Sequence, residues 1–223
     1  MHNTFYDFLA SNNLLSDCQF GFRPSHSTET ALISAIDNWH QNIDKGKLNG
    51  VLFIDLRKAF DTVNHSVLLH KLRSYGVADS ALSFFNSYLS SRSQSVSFNG
   101  VLSDFKPVDI GVPQGSILGP LFFILHVNDY PKCLKHSNVT MYADDTSQSV
   151  TGKSVECIEA MMCEDLLCTI KWMNDNKLSL NLDKTQCMLI GSVQKLSRCN
   201  PLNIKVNEFQ IQNVTCAKLL VFM

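Results

Sequence analysis

Three aspartates stand where a carboxylate is costly. Asp55 ends the apolar run Val51-Leu52-Phe53-Ile54, and Asp144-Asp145 interrupts a core-like stretch that begins at Val139 and resumes toward Val150. Like charges brought to one place cannot all stay ionised without a counter-charge. A carboxylate cluster without His or Cys selects oxygen-preferring Mg²⁺ or Mn²⁺ over zinc. Two such ions ~3.5–4 Å apart activate an attacking hydroxyl and stabilise the leaving oxygen of an in-line phosphoryl transfer. Other readings of these residues stay open. Asp-Asp is an ordinary turn pair, Asp55 can cap the segment that follows it, and Asp61-Thr62 is placed to cap a helix starting near Val63.

The carboxylates meet only if particular elements bring them together. Residues 51–54 predict a buried central strand, being wholly apolar and short. Residues 139–150 predict a hairpin with Asp144-Asp145 at its tip. With the two side by side, all three acids share one sheet edge. Leu32, Ala35, Ile36, Trp39 and Ile43 recur at helical spacing between Ser27-Thr28 and Gly46, and Val63, Val67, Leu68 and Leu72 predict a second helix ended by Gly76. Asn99-Gly100 centres a hairpin over 93–109. Ser116 is placed to cap a helix over 117–127, and Val155, Ile158, Met162, Leu166, Ile170 and Met173 predict one long helix. Residues 178–182 and 185–190 read as strands around Asp183-Lys184. The class is α+β with an antiparallel sheet and packed helices.

Composition narrows the functions. The chain has 223 residues, 45% apolar and 17% charged, which excludes a disordered chain and supports one sizeable core. The longest apolar stretch, 117–127, contains Gly119, Pro120 and His126 and is too short for a membrane span, so no membrane partner is expected. The first residues lack the basic-then-apolar order of a signal peptide, so an intracellular setting is expected, nucleus or cytoplasm undecided. Eight cysteines include no Cys-x-x-Cys pair, and Cys157, Cys163 and Cys168 are expected as small buried hydrophobes. Net charge is −1, from 19 basic and 20 acidic residues, which is awkward for a nucleic-acid binder.

Five ordered motifs carry a resemblance. Phe53-Ile54-Asp55-Leu56-Arg57-Lys58-Ala59-Phe60-Asp61, Gly111-Val112-Pro113-Gln114-Gly115-Ser116-Ile117-Leu118-Gly119-Pro120 and Tyr142-Ala143-Asp144-Asp145 resemble motifs A, B and C of reverse transcriptases of the non-LTR, LINE-like retrotransposon type. Gln19-Phe20-Gly21-Phe22-Arg23-Pro24 through Ser27-Thr28 resembles the preceding fingers motif, and Leu178-Ser179-Leu180-Asn181 through Lys184-Thr185 resembles motif D.

The resemblance implies an RNA-directed DNA polymerase: a right-hand palm with partial fingers and essentially no thumb, working on an RNA template, a DNA primer and dNTPs with two Mg²⁺ ions, or Mn²⁺. Fingers would fill 1–48, the palm 49–190 with a fingers-like insertion at about 76–108, and a palm–thumb junction 191–223. Asp55, Asp144, Asp145 and the Leu56 carbonyl would ligate metal. Lys58 and Ala59 would offer backbone N–H groups to the triphosphate, and Phe60 would exclude a ribose 2′-hydroxyl. Gln114, with Gly115, would contact the template base and nucleotide. Lys184 would protonate pyrophosphate, and Arg23 would orient template or fingers. As bland alternatives, Phe60 is a core aromatic, Lys184 an exposed turn residue and Arg23 a surface ion-pair partner.

Relatives of this type carry more chain before Gln19 and a Leu-Gly-Val-like motif after Gly191, where this chain reads Leu219-Leu220-Val221. Basic and acidic residues number 9 and 10 in 1–110, and 10 and 10 in 111–223, so neither half supplies a basic grip on a duplex. The second functional reading is therefore a truncated, catalytically impaired remnant that binds nucleic acid weakly. A two-metal nuclease is a third, disfavoured because it has no use for the Phe60 and Gln114 arrangement.

Overall fold

The computed structural model describes residues 2–217. In chain order it contains α1 (His2–Ser11), α2 (Thr28–Asp44), β1 (Leu48–Ile54), α3 (His65–Ser74), α4 (Asp79–Leu89), β2 (Arg92–Gln94), β3 (Ser97–Phe98), β4 (Val101–Leu102), β5 (Lys106–Val108) and α5 (Leu118–His126). These are followed by β6 (Asn138–Tyr142), β7 (Asp145–Gly152), α6 (Val155–Asp175), β8 (Gln186–Ile190), α7 (Val193–Leu196), β9 (Lys205–Val206), β10 (Phe209–Gln210) and β11 (Gln212–Asn213). The main sheet has the order β11-β8-β1-β7-β6, antiparallel throughout except for the parallel β11–β8 pair. The expected mixed α+β architecture is present.

β1 is central because both its faces are apolar or neutralised. Leu48, Leu52 and Ile54 face the large core that α5 and α6 help to fill, while Val51 meets Ala35 and Trp39 of α2 on the other side. Asn49 is fully buried, and its amide is satisfied by the Trp39 carbonyl and the Asn42 side chain. Gly50 lets α6 close in: a Cβ there would lie 2.3 Å from Ile158 Cγ2. Ser27 caps α2 in a reciprocal box with Thr30, as its position before the periodic run predicts.

The 93–109 hairpin forms, with Asn99 and Gly100 at positive φ in the turn, β3 against β4 and β2 against β5. Three expectations are corrected. Asn64, not Asp61, caps α3, its side chain accepting from Val67 N at 3.0 Å, while Asp61 lies in a 3₁₀ turn three residues earlier. Residues 178–182 do not form a strand: they touch β1's extension through the single Leu56–Leu180 bridge, then turn. Cys157 is exposed on the first turn of α6, and Cys163 and Cys168 are half-buried, because the buried stripe runs through Val155, Ile158, Met162 and Leu166. The Leu219-Leu220-Val221 comparison lies outside the described residues. Among the described residues no helix is long and apolar enough to cross a membrane.

His126, at the end of α5, is fully buried, its Nε2–H donating to the Asn176 carbonyl at 3.1 Å. Burial, reinforced by the Lys71 charge, depresses its pKa from 6.5 to about 4. Neutral when folded, it is protonated more readily when unfolded. Its contribution is therefore complete above pH 6.5 and is lost as pH falls toward 4, by up to about 3 kcal/mol. Urea melts between pH 7 and 4 should show this loss, and His126→Gln, which keeps a donor for the Asn176 carbonyl, should flatten it.

Candidate active site

Sheet register decides which acids meet. β1 and β7 pair from Leu48–Gly152 to Ile54–Thr146, so one further step sets Asp55 level with Asp145. β6 and β7 close through Ala143-Asp144, with Tyr142 paired to Asp145, so Asp144 occupies the hairpin tip and Asp145 begins the returning strand. All three acids thus reach one edge of the sheet, as the apolar patterning predicts. Burial pushes the Asp144 carboxyl above its ordinary value, and the charges of Asp145 and Asp55 push it the same way.

The donor set, three carboxylates with no His or Cys, fits a hard divalent ion. It is not a ready-made cage, however. Among the described residues no group of three His, Cys, Asp or Glu side chains is gathered closely enough to hold a metal. Like charges repel, and Asp55 is turned elsewhere: its Oδ2 accepts from Asn181 Nδ2 at 2.8 Å. The Asp55 carbonyl also takes the Asn181 N–H at 2.9 Å, and Arg57 N–H donates to Ser179 O at 2.9 Å, with Leu56 between these two bonds. Thr185 completes the circuit, its hydroxyl donating to the Asn181 carbonyl at 2.8 Å. Asn181 belongs to the motif D match, but spacing alone assigns it no role. Its partner is 126 residues away, and only the fold brings them together.

The second missed residue is Gln19. Its side chain is 1% exposed and reaches the hairpin tip 124 residues on, with Nε2 donating to Ala143 O and Oε1 accepting from Ala143 N.

The segments around Asp61 and Gly111 are zipped by their backbones. Val112 N donates to Phe60 O at 2.9 Å and Gly111 N to Val63 O at 2.8 Å. Gly111, at φ +83°, is required, since a Cβ would meet the Asp61 backbone at 2.7 Å. Gln114 Nε2 donates to Asp61 Oδ1 at 2.8 Å, which gives Asp61 the job that capping would have given it. Gln114 and Gly115 are exposed, Gly115 at φ +72° with open space around its α-carbon. Lys58, exposed in the left-handed region at φ 48°, leads into the 3₁₀ turn that begins at Ala59. A polar groove runs here between Lys58, Asp61, Arg92, Gln94, Pro107 and Gln114.

Phe60 is half-buried. Its ring stacks on Phe123 at 4.3 Å, and Phe22 meets it edge-on at 6.1 Å. The core-aromatic reading of Phe60 is thus present in these ring contacts. Arg23 Nη1 donates to the Ser16 and Gln19 carbonyls at 2.7 and 3.1 Å, so this guanidinium fastens the loop that carries Gln19. Lys184 is exposed in the turn after Asn181, beside the Arg57–Asp183 ion pair. Ser116 Oγ accepts from Gly119 N at 3.0 Å, the bond expected of a residue placed to cap this helix, with Ile117, already in the helical region, between it and the first residue of α5.

Residues 1–216 match the family described as reverse transcriptase (RNA-dependent DNA polymerase). The chain belongs to the reverse transcriptase family. It is 31% identical over 191 residues to the RNA-directed DNA polymerase from mobile element jockey of Drosophila melanogaster, covering 81% of this chain and 20% of that protein. A probable RNA-directed DNA polymerase from transposon X-element of the same organism is 33% identical over 61% of this chain and 15% of its own length. The chain thus spans about a fifth or less of the length of these two relatives. Telomerase from Candida tropicalis superposes with a TM-score of 0.63 at 11% identity, over 84% of this reverse transcriptase chain and 33% of the telomerase. Identity that low speaks to the fold alone.

The Asn181 bond to Asp55 is half-buried, and removing it should cost about 1 kcal/mol. In urea melts, Asn181→Ala should lose that amount, whereas Asp183→Ala, which removes an ion pair 59% and 74% exposed, should change stability by less than about 0.5 kcal/mol.

Proposed function

We propose that this chain is the palm, with part of the fingers, of an RNA-directed DNA polymerase of a LINE-like retrotransposon. The observation that carries the proposal is the sheet register that brings Asp55, Asp144 and Asp145 to one edge, with the Asp144 carboxyl raised first by burial and then by the charges of Asp145 and Asp55. The reaction joins a primer 3′-hydroxyl oxygen to the α-phosphorus of a deoxynucleoside triphosphate paired to RNA. The bond to the β-phosphate breaks, pyrophosphate leaves, and the hydroxyl proton is released. On this reading residues 1–48 contribute to the fingers, 49–190 form the palm with 76–108 as a fingers-like excursion, and 191–223 lead toward a thumb.

Asp55, Asp144, Asp145 and the Leu56 carbonyl would hold two Mg²⁺ ions. When bound, these ions lower the pKa of the attacking hydroxyl and neutralise charge on the phosphates. The chain's own residues do the rest. The N–H groups of Lys58 and Ala59 stand in a tight turn suited to a triphosphate. Gln114, its amide N–H fixed by Asp61, keeps its carbonyl oxygen to meet the template–nucleotide pair. Phe60 is held rigid by Phe123 and Phe22, and a rigid ring is what rejects one extra hydroxyl. Lys184, exposed near the same edge, supplies a proton to the departing pyrophosphate. Arg23 acts through the loop it fastens.

A primer-extension assay with an RNA template, DNA primer, dNTPs and Mg²⁺ tests this. Asp144→Asn should lower incorporation roughly 10²–10³-fold or more. No incorporation by the wild-type chain above that variant would overturn the catalytic reading and leave a nucleic-acid-binding domain without turnover. Phe60→Val should reduce the preference for dNTP over rNTP by at least about tenfold. An unchanged preference would remove Phe60 from sugar selection.

A further inference from the structure

Gln19 is a buried polar side chain that none of the proposed chemistry uses. It lies outside the sheet, yet its amide engages both backbone groups of one residue, Ala143. Oε1 accepts from Ala143 N at 2.9 Å, and Nε2 donates to Ala143 O at 3.2 Å. The same Oε1 also takes Gly21 N at 2.8 Å, which ties the clamp to its own loop. Flanking backbone bonds run from Met141 N to Cys18 O and from Phe20 N to Met141 O, both 2.8 Å. The Gln19 segment therefore lies along the outer edge of β6 as a short parallel bridge.

Ala143 needs such a clamp. It is a non-glycine residue at φ 57°, in the left-handed region that L side chains rarely adopt, and it directly precedes Asp144. Released, this residue would be held at positive φ by the tight β6–β7 turn alone, and the direction of the Asp144 backbone would be less narrowly fixed. Gly21 sets how near the clamp can come, since a Cβ there would lie 2.2 Å from Ala143 N. Arg23 holds the clamp's far side by donating to the Gln19 carbonyl at 3.1 Å.

We propose that Gln19 is a positioning residue for the reaction: its side-chain amide holds Ala143 in the left-handed conformation and so fixes the direction in which Asp144 leaves the hairpin. This rests on the polymerase reading above for its kinetic consequence and on the geometry alone for the clamp. A misplacement of about 1 Å at a reacting group can cost on the order of 10²-fold in rate. The substrate contact proposed for Gln114 lies on another segment, so binding should be spared.

Two variants test it. Gln19→Met keeps the length and loses both hydrogen bonds. Gln19→Asn keeps the amide but withdraws it by one methylene. In each, circular dichroism and a cooperative melt first establish that the chain folds. Amide hydrogen exchange at Ala143 should then quicken by at least about tenfold while the amides of β1 keep wild-type rates. In primer extension kcat should fall about 10- to 100-fold, with KM for primer–template and for dNTP within about twofold. Unchanged exchange at Ala143 overturns the clamp. Quickened exchange with wild-type kcat, or a loss confined to KM, overturns the positioning role. A wild-type chain that incorporates nothing overturns the polymerase reading instead, and exchange at Ala143 still decides the clamp.

Discussion

The register that brings three carboxylates to one edge of a sheet, with Asp144 partly buried there, is the constraint around which this molecule is built. Unfolded, Asp55 and the Asp144-Asp145 pair are about 90 residues apart in sequence and ignore one another. Folded, the register of β1 on β7 brings them to one level, and partial burial of Asp144 disfavours its charged form there. Such an arrangement persists only if the backbones carrying the acids cannot retreat.

Each carrier is accordingly held from more than one side. β1 is buried against α2 on one face and the main core on the other, with Gly50 admitting α6 to close range. Beyond its last paired residue, the circuit through Asn181 and Thr185 secures the Asp55 backbone and side chain. The hairpin tip is held by Gln19, which also occupies the outer edge of β6 and so blunts an exposed strand edge. The segments around Phe60 and Gly111 are joined to each other by backbone bonds, which places the Phe60 ring and the Gln114 amide relative to the same strand.

Much of this was legible in the sequence where local chemistry decides. The apolar run before Asp55, the Asn99-Gly100 turn, the Ser27 cap and the stripe of α6 each specify an element without reference to the rest of the chain. The reading failed where two local options competed. Asp61 and Asn64 both suit a helix start, and the later residue wins because Asp61 is drawn into the 3₁₀ turn and onto Gln114. Residues 178–182 have a strand's composition, but Asn181 spends its N–H and its amide on Asp55 and the chain turns at once. Gln19 and Asn181 were invisible as site residues for one physical reason: their partners lie more than a hundred residues away, and no periodicity encodes a contact of that span.

If the edge exists to be neutralised, its stability must respond to a divalent cation. The most direct measurement is thermal melting of the wild-type chain and Asp55→Asn, each in millimolar Mg²⁺ and in a sodium salt of equal ionic strength. Ligation of the folded state raises stability as RT ln(1 + [L]/Kd), so the wild-type midpoint should climb with Mg²⁺ concentration. Asp55→Asn, which removes one of the charges that would meet the ion, should gain little from it. An Mg²⁺ effect no larger than that of sodium, or one equally large in Asp55→Asn, would contradict the account.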